Sequence, residues 1–270
     1  MRHCGWVFVG ISGVILLAGS GCTSQQGRPS WGENALWPVD GHRIVEAARG
    51  ALLDPQTWVP AAGALVFRID DWDHKASDWA SEHTPIFGSQ DGARKASDDL
   101  LLGLSAEVPV TALATPSGDD PKEWATAKAK GLAVEGGAAG VNGLTTELLK
   151  GAVGRERPNG ENNKSFPSGH GSGSFAAVAL SNRNLDSIDM SPDVRRVCQI
   201  GNVGLASAVA WARVEGKVHY PSDVLAGAAL GHFFAAFIYD AFMNLPKDSP
   251  VEVAITPLDG GGAVSVAFRF

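Results

Sequence analysis

Two long stretches of the chain are built mostly from small side chains, GLAVEGGAAGVNGL at 131–144 and VLAGAALGHFFAAFIY at 224–239. Helices of this composition bury little bulk of their own, so they are stable when their backbones pack closely against neighbouring helices. With 44% hydrophobic residues and 33 glycines, the chain is globular and its core is made of such closely packed helices. A length of 270 residues accommodates one catalytic-sized domain with appendages.

Helical periodicity runs through HRIVEAARGALL, RIDDWDHKASDWASEH, SDDLLLGLSAEVPVTALA and PKEWATAKAKGLAVEGGAAGVNGLTTELLKGAVG, and strand signals are scarce between them. The expected fold is all-α, a helical bundle over 41–245. Residues 246–270 change character: VEVAITP and AVSVAFRF are β-branched runs separated by LDGGG, the pattern of a small C-terminal β-hairpin. At the other end, Arg2 and His3 precede the apolar run WVFVGISGVILLAG and then Ser20-Gly21-Cys22, the layout of an export signal over 1–21. It resembles a bacterial lipoprotein signal, which makes Cys22 the lipidation site and residues 22–40, polar and turn-rich, a tether. The expectation is an exported cell-envelope protein, held by an N-terminal lipid anchor on the periplasmic side of the outer membrane. After processing Cys198 stands alone and reads as a small core residue, which leaves neither a disulfide framework nor a thiolate metal cluster. His232 likewise reads as a core histidine. The net charge of −7 excludes a general attraction to nucleic acid, so any anion site is local.

Such a site is suggested by SFPSGHGSGS at 165–174. Pro167 ends one segment, Ser168-Gly169 open a helix whose first N–H groups are free to face an anion, and His170 stands beside them. Upstream, Lys150 and Arg157 are seven residues apart, which on a continuous helix places both cations on one face before Pro158 stops it. Downstream, Arg213 precedes His219, and Asp223 follows it by four residues, close enough on a helix for the carboxylate to reach one imidazole nitrogen.

Together, Lys150 to Arg157-Pro158, Pro167-Ser168-Gly169-His170, and Arg213 to His219 and Asp223 resemble the superfamily of type 2 phosphatidic acid phosphatases, class A acid phosphatases and vanadium haloperoxidases. The resemblance implies a helical fold that gathers the three segments around one phosphate pocket. It implies that His219 attacks phosphorus and becomes a phosphohistidine, that Asp223 orients it, and that His170 protonates the leaving oxygen. Lys150, Arg157 and Arg213 would hold the phosphoryl oxygens, with hydrogen bonds from Ser168 and Gly169. The chain departs from the family in two places: Ala212 stands where a serine is usual before the arginine, and the connector between Pro158 and Pro167 is only eight residues.

The chemistry needs these residue types. Fixed cations and N–H donors can neutralise the equatorial oxygens of a phosphoryl group in transfer, and one carboxylate is a poor cage for a divalent metal. The expected activity is metal-independent, cofactor-free hydrolysis of phosphate monoesters, with a lipid or amphiphilic phosphate favoured and a soluble organic phosphate close behind. Vanadate is expected to inhibit. Alternatives are a haloperoxidase that uses vanadate as cofactor, and a non-catalytic tethered lipoprotein. The oligomeric state is not indicated.

Overall fold

The structure, a computed structural model, describes residues 7–11, 14–18, 30–36, 40–245, 251–258 and 261–268, with side chains placed for 30–36 and 40–245. Eight helices follow one another among the described residues: α1 (Gly41–Leu53), α2 (Pro55–Val66), α3 (Trp72–His83), α4 (Gln90–Ala114), α5 (Pro121–Val153), α6 (Gly169–Ser187), α7 (Pro192–Glu215) and α8 (Pro221–Phe242). Two antiparallel ribbons flank them in sequence. Val7–Ile11 (β1) pairs with Val14–Ala18 (β2), within the stretch read as an export signal, and Val251–Leu258 (β3) pairs with Gly261–Phe268 (β4). The second ribbon lies within the stretch read as a C-terminal hairpin. Cys22 and the first half of the tether lie outside the described residues.

A repeated device starts the helices. Asp54, Asp120 and Ser191 cap α2, α5 and α7 through side-chain oxygens that accept first-turn N–H groups, and each is followed by proline at the first helical position. Proline there sacrifices no hydrogen bond, because that N–H has no partner inside the helix.

The small-residue stretches do what their composition requires. A Cβ on Gly227 would stand 2.5 Å from the carbonyl oxygen of Ser168, and one on Gly231 would stand 2.0 Å from that of Ser172. The backbone of α8 therefore lies directly against that of α6, as only glycine permits. This contact sets the two helix starts side by side, and the Ser168 N–H donates to the Asp223 carbonyl at 2.9 Å. Between them, α6 and α8 present their N-termini to one place.

The structure departs from two expectations. The end of the expected tether is folded: Trp31 is 1% exposed in the main hydrophobic cluster with Val134, Leu180, Tyr239 and Met243. Its indole Nε1–H lies 2.9 Å from Asn184 Oδ1 and 3.0 Å from the Tyr239 hydroxyl, and Gly131 on α5 leaves room for its ring. Burying an indole with its N–H satisfied outweighs the polar character of the surrounding sequence. Cys198, expected in the core, is only partly buried, because its stretch of α7 lies toward solvent. His232 is buried in α8 as expected, with Nδ1 bonded to Thr57 Oγ1 at 2.8 Å.

Candidate active site

The turn after α7 brings the third segment together. The N–H groups of Val218 and His219 both reach the Arg213 carbonyl at 3.2 Å, folding the histidine back over the helix that carries the arginine. The His219 side chain is only 2% exposed. Its Nδ1 lies 2.7 Å from the Ser165 carbonyl oxygen, which can only accept, so the proton is on Nδ1 and Nε2 keeps its lone pair. Burial, reinforced by the charges of Arg213 and Arg157 and only partly offset by Asp223, pushes the imidazole down to about 4. It is neutral at neutral pH.

Asp223 does not fix that tautomer, contrary to the expectation from its spacing. Its Oδ2 is 3.8 Å from His219 Nδ1, beyond a hydrogen bond, because the Ser165 carbonyl already occupies that nitrogen. The carboxylate is instead held by Arg155 Nη1 at 2.6 Å, Ser165 Oγ at 2.5 Å and the Tyr220 N–H at 2.9 Å. Arg155 also donates to Asp73 on α3 at 2.9 Å, and Asp73 accepts from the Ser222 N–H at 2.8 Å and from the Ser222 hydroxyl. Burial alone would raise the Asp223 carboxyl, but His219, Arg155, Ser165 and Tyr220 together bring it below the usual range. The carboxylate beside His219 can therefore stabilise an imidazole that gains positive character.

Arg157 does not share a helical face with Lys150. Helix α5 ends at Val153 with Gly154 in the left-handed region at φ 59°, so Gly154 rather than Pro158 stops it. The loop then carries Arg157 back toward α7, and the Ser165 N–H donates to the Arg155 carbonyl at 2.9 Å to close it. The cations nonetheless converge electrostatically. Arg157 and Arg213 act on His219, while Arg213 and Lys150 act on His170. Lys150 Nζ lies 2.5 Å from Glu147 and would be 3.0 Å from a Cβ on Gly169.

Among the described residues, the Nε atoms of Arg157 and Arg213 are buried without a hydrogen-bond partner. Buried guanidinium donors are costly unless satisfied, and an oxyanion between the two arginines would satisfy both. Ser168 caps α6 through its Oγ, which accepts from the Gly171 N–H at 3.3 Å. Its own N–H is committed to the Asp223 carbonyl, whereas the Gly169 N–H takes no part in that joint. His170 is less buried than His219, and its Nε2 lies 2.7 Å from Asp98 Oδ1 on α4. Partial burial and Arg213 lower its pKa below the ordinary value, while Asp98 opposes them.

Gly169 and Glu147 also line one end of a groove of about 580 Å³ between α4, α5 and α6. It continues past Ala139 and Ala176 to Val108, Leu132 and Leu180. Its lining includes Glu135, a buried acid raised to about 7 by burial, against the opposing influence of Asn184 and Lys128. Among the described residues, no cluster of three or more His, Cys, Asp or Glu side chains is placed to hold a metal ion.

Residues 132–247 match the PAP2 superfamily. That range contains Lys150, Arg157, Ser168, Gly169, His170, Arg213, His219 and Asp223, whereas Asp73 and Asp98 precede it. In Arabidopsis thaliana, probable lipid phosphate phosphatase 4 is 33% identical over 143 residues, 40% of this chain and 46% of that protein. Lipid phosphate phosphatase 2 from the same plant is 30% identical over 147 residues, 40% of this chain and 49% of that protein. The chain spans about half the length of these curated relatives. A solved structure, the transmembrane PAP2 type phosphatidylglycerolphosphate phosphatase from Bacillus subtilis, has a similar fold at a TM-score of 0.50 and 19% identity, covering 73% of this chain and 94% of that one.

Proposed function

We propose that this chain is a phosphatase that hydrolyses phosphate monoesters through a phosphohistidine on His219. The observation that carries the reading is a buried, neutral imidazole with Nδ1–H held by Ser165, under the charge of Arg157 and Arg213, whose buried Nε–H groups have no partner. In the first step the lone pair of His219 Nε2 forms a bond to phosphorus as the bond to the leaving oxygen breaks, and His170 gives that oxygen a proton. In the second, His170 takes a proton from water, the hydroxide oxygen bonds to phosphorus, and the nitrogen–phosphorus bond breaks to release phosphate and restore the imidazole. Arg157, Arg213 and Lys150, with the Gly169 N–H, hold the equatorial oxygens, and Asp223 stabilises the positive charge that develops on His219.

A lipid or other amphiphilic phosphate is the favoured substrate. The groove begins at Gly169, where the phosphate would sit, and is lined chiefly by aliphatic side chains and glycines, which suits a hydrocarbon chain attached to the ester oxygen. The lipid phosphate phosphatase relatives agree with this. Membrane association through a lipid on Cys22 is part of the same proposal. Helix α8 is long and apolar enough to cross a bilayer, but more than half of it is buried inside the protein, so we assign it to the core and the anchor to the N-terminus.

The test is a hydrolysis screen of the purified chain on lipid and soluble phosphate monoesters, with and without detergent. We expect activity that survives chelator and is inhibited competitively by vanadate, which can adopt the five-coordinate geometry of the transition state. Activity lost to chelator and restored by a divalent metal would contradict the mechanism. Bromide oxidation with vanadate and peroxide, without phosphatase activity, would assign the haloperoxidase reaction instead.

A further inference from the structure

We propose that Asp98 is a positioning residue for His170: it holds the Nε2 proton, keeps the imidazolium available as an acid, and leaves Nδ1 as the nitrogen that exchanges protons with the leaving oxygen and water. The role assigned to His170 rests on the phosphatase reading, but the pairing itself rests on geometry. Asp98 Oδ1 is 2.7 Å from His170 Nε2 and 3.6 Å from Arg213 Nη1, so a single carboxylate oxygen faces both the histidine and a cation of the phosphate cradle. The neighbouring Ser97 accepts from the same Arg213 nitrogen at 2.9 Å and is fully buried, which fixes this part of α4 against α7.

The surroundings show why such a partner is needed. The charged groups acting on His170 are Asp98 from α4, Lys150 from α5 and Arg213 from α7. Both cations, together with partial burial, favour the neutral imidazole, which has no proton to spare for a leaving group. Asp98 is the one of the three that favours the imidazolium. The hydrogen bond has a second consequence. When Nδ1 gives its proton to the ester oxygen as the phosphorus–oxygen bond breaks, Nε2–H stays on Asp98 and the neutral ring is left with its lone pair on Nδ1. The same nitrogen then accepts a proton from the attacking water, so no tautomer change is required between the two steps.

The experiment compares wild type with Asp98→Asn and Asp98→Glu by two readouts. In nitrogen-15 NMR without substrate, neutral His170 in wild type should be the Nε2–H tautomer, and Asp98→Asn should lower its pKa by roughly one unit or more. In kinetics, Asp98→Asn should move the alkaline limb of the kcat/KM profile to lower pH by the same amount. It should also lower kcat for an alkyl phosphate roughly tenfold or more relative to an aryl phosphate, whose better leaving group needs less protonation. Asp98→Glu should restore part of both effects. An unchanged His170 titration overturns the proposal. So does equal loss on both esters with an unshifted profile, or a gain in kcat/KM at every pH, which would make Asp98 an obstacle in the cradle. If wild type hydrolyses neither ester, the phosphatase reading fails while the NMR titration still tests the pair.

Discussion

The two histidines of the site lie in contrasting surroundings. His219 is sealed: 2% exposed, held on a backbone carbonyl, and backed by Asp223, Arg155, Asp73, Ser165 and Ser222 in one hydrogen-bonded network. His170 keeps 28% of its side chain exposed and has a single carboxylate partner that is itself 63% exposed. A nucleophile must present one lone pair in one direction and stay unprotonated, which a dry, over-determined pocket provides. An acid that becomes a base must exchange protons with water in every cycle, which requires an open one. In the proposed mechanism the difference between the two environments divides the chemistry between them.

Breaking the sealed side should have the largest effect. His219→Ala should lower kcat on the order of 10⁵-fold, as expected for a residue that acts as part of a unit, while vanadate binding measured by calorimetry persists on the cradle cations. Next comes the support of that side. Arg155→Ala leaves Asp73 and Asp223 buried without their cation, which should cost roughly 3–5 kcal/mol in denaturant unfolding. Arg155→Lys should recover part of it, because an ammonium cannot span both carboxylates as the guanidinium does. The smallest effect, and the one that sharpens the contrast, is the pH profile. As the proposed nucleophile His219 must be neutral, so kcat/KM should rise as pH increases through about 4. As the proposed acid His170 must carry its proton, so activity should fall once its lowered pKa is passed, giving an acidic optimum. A profile that stays flat through the acid range would remove the distinction between the two histidines.

What the sequence made legible follows the same division. The segment around Ser168 and His170 reads directly, because a proline, an N-cap serine and glycines are local signals, and α6 does begin at Gly169. The pattern also identifies Arg213, His219 and Asp223, since a helix end, a short turn and a proline-started helix bring them together within a few residues. Asp73 and Asp98 were illegible as site residues. Asp73 meets Ser222 across 149 positions, and Asp98 meets His170 across 72. Each sits in an acidic stretch that looks like a solvated helix face. Arg155 escapes the pattern for a different reason: it stands two residues from Arg157, and only the three-dimensional path of the loop separates a residue aimed at buried carboxylates from one left with a free Nε–H. Spacing alone also misassigned the partner of His219, because a backbone carbonyl from the loop at Ser165 leaves no trace in a pattern of side chains.

The proposed attack of His219 on phosphorus is tested most directly by rapid quenching. Mixing the chain with a phosphorus-32-labelled aryl phosphate and stopping the reaction in base should trap label on the protein. That label should be stable in base, labile in acid, and located by mass spectrometry on the peptide containing His219, with none on His219→Ala. Label on another residue, or His219→Ala turning over at the wild-type rate, would contradict the account.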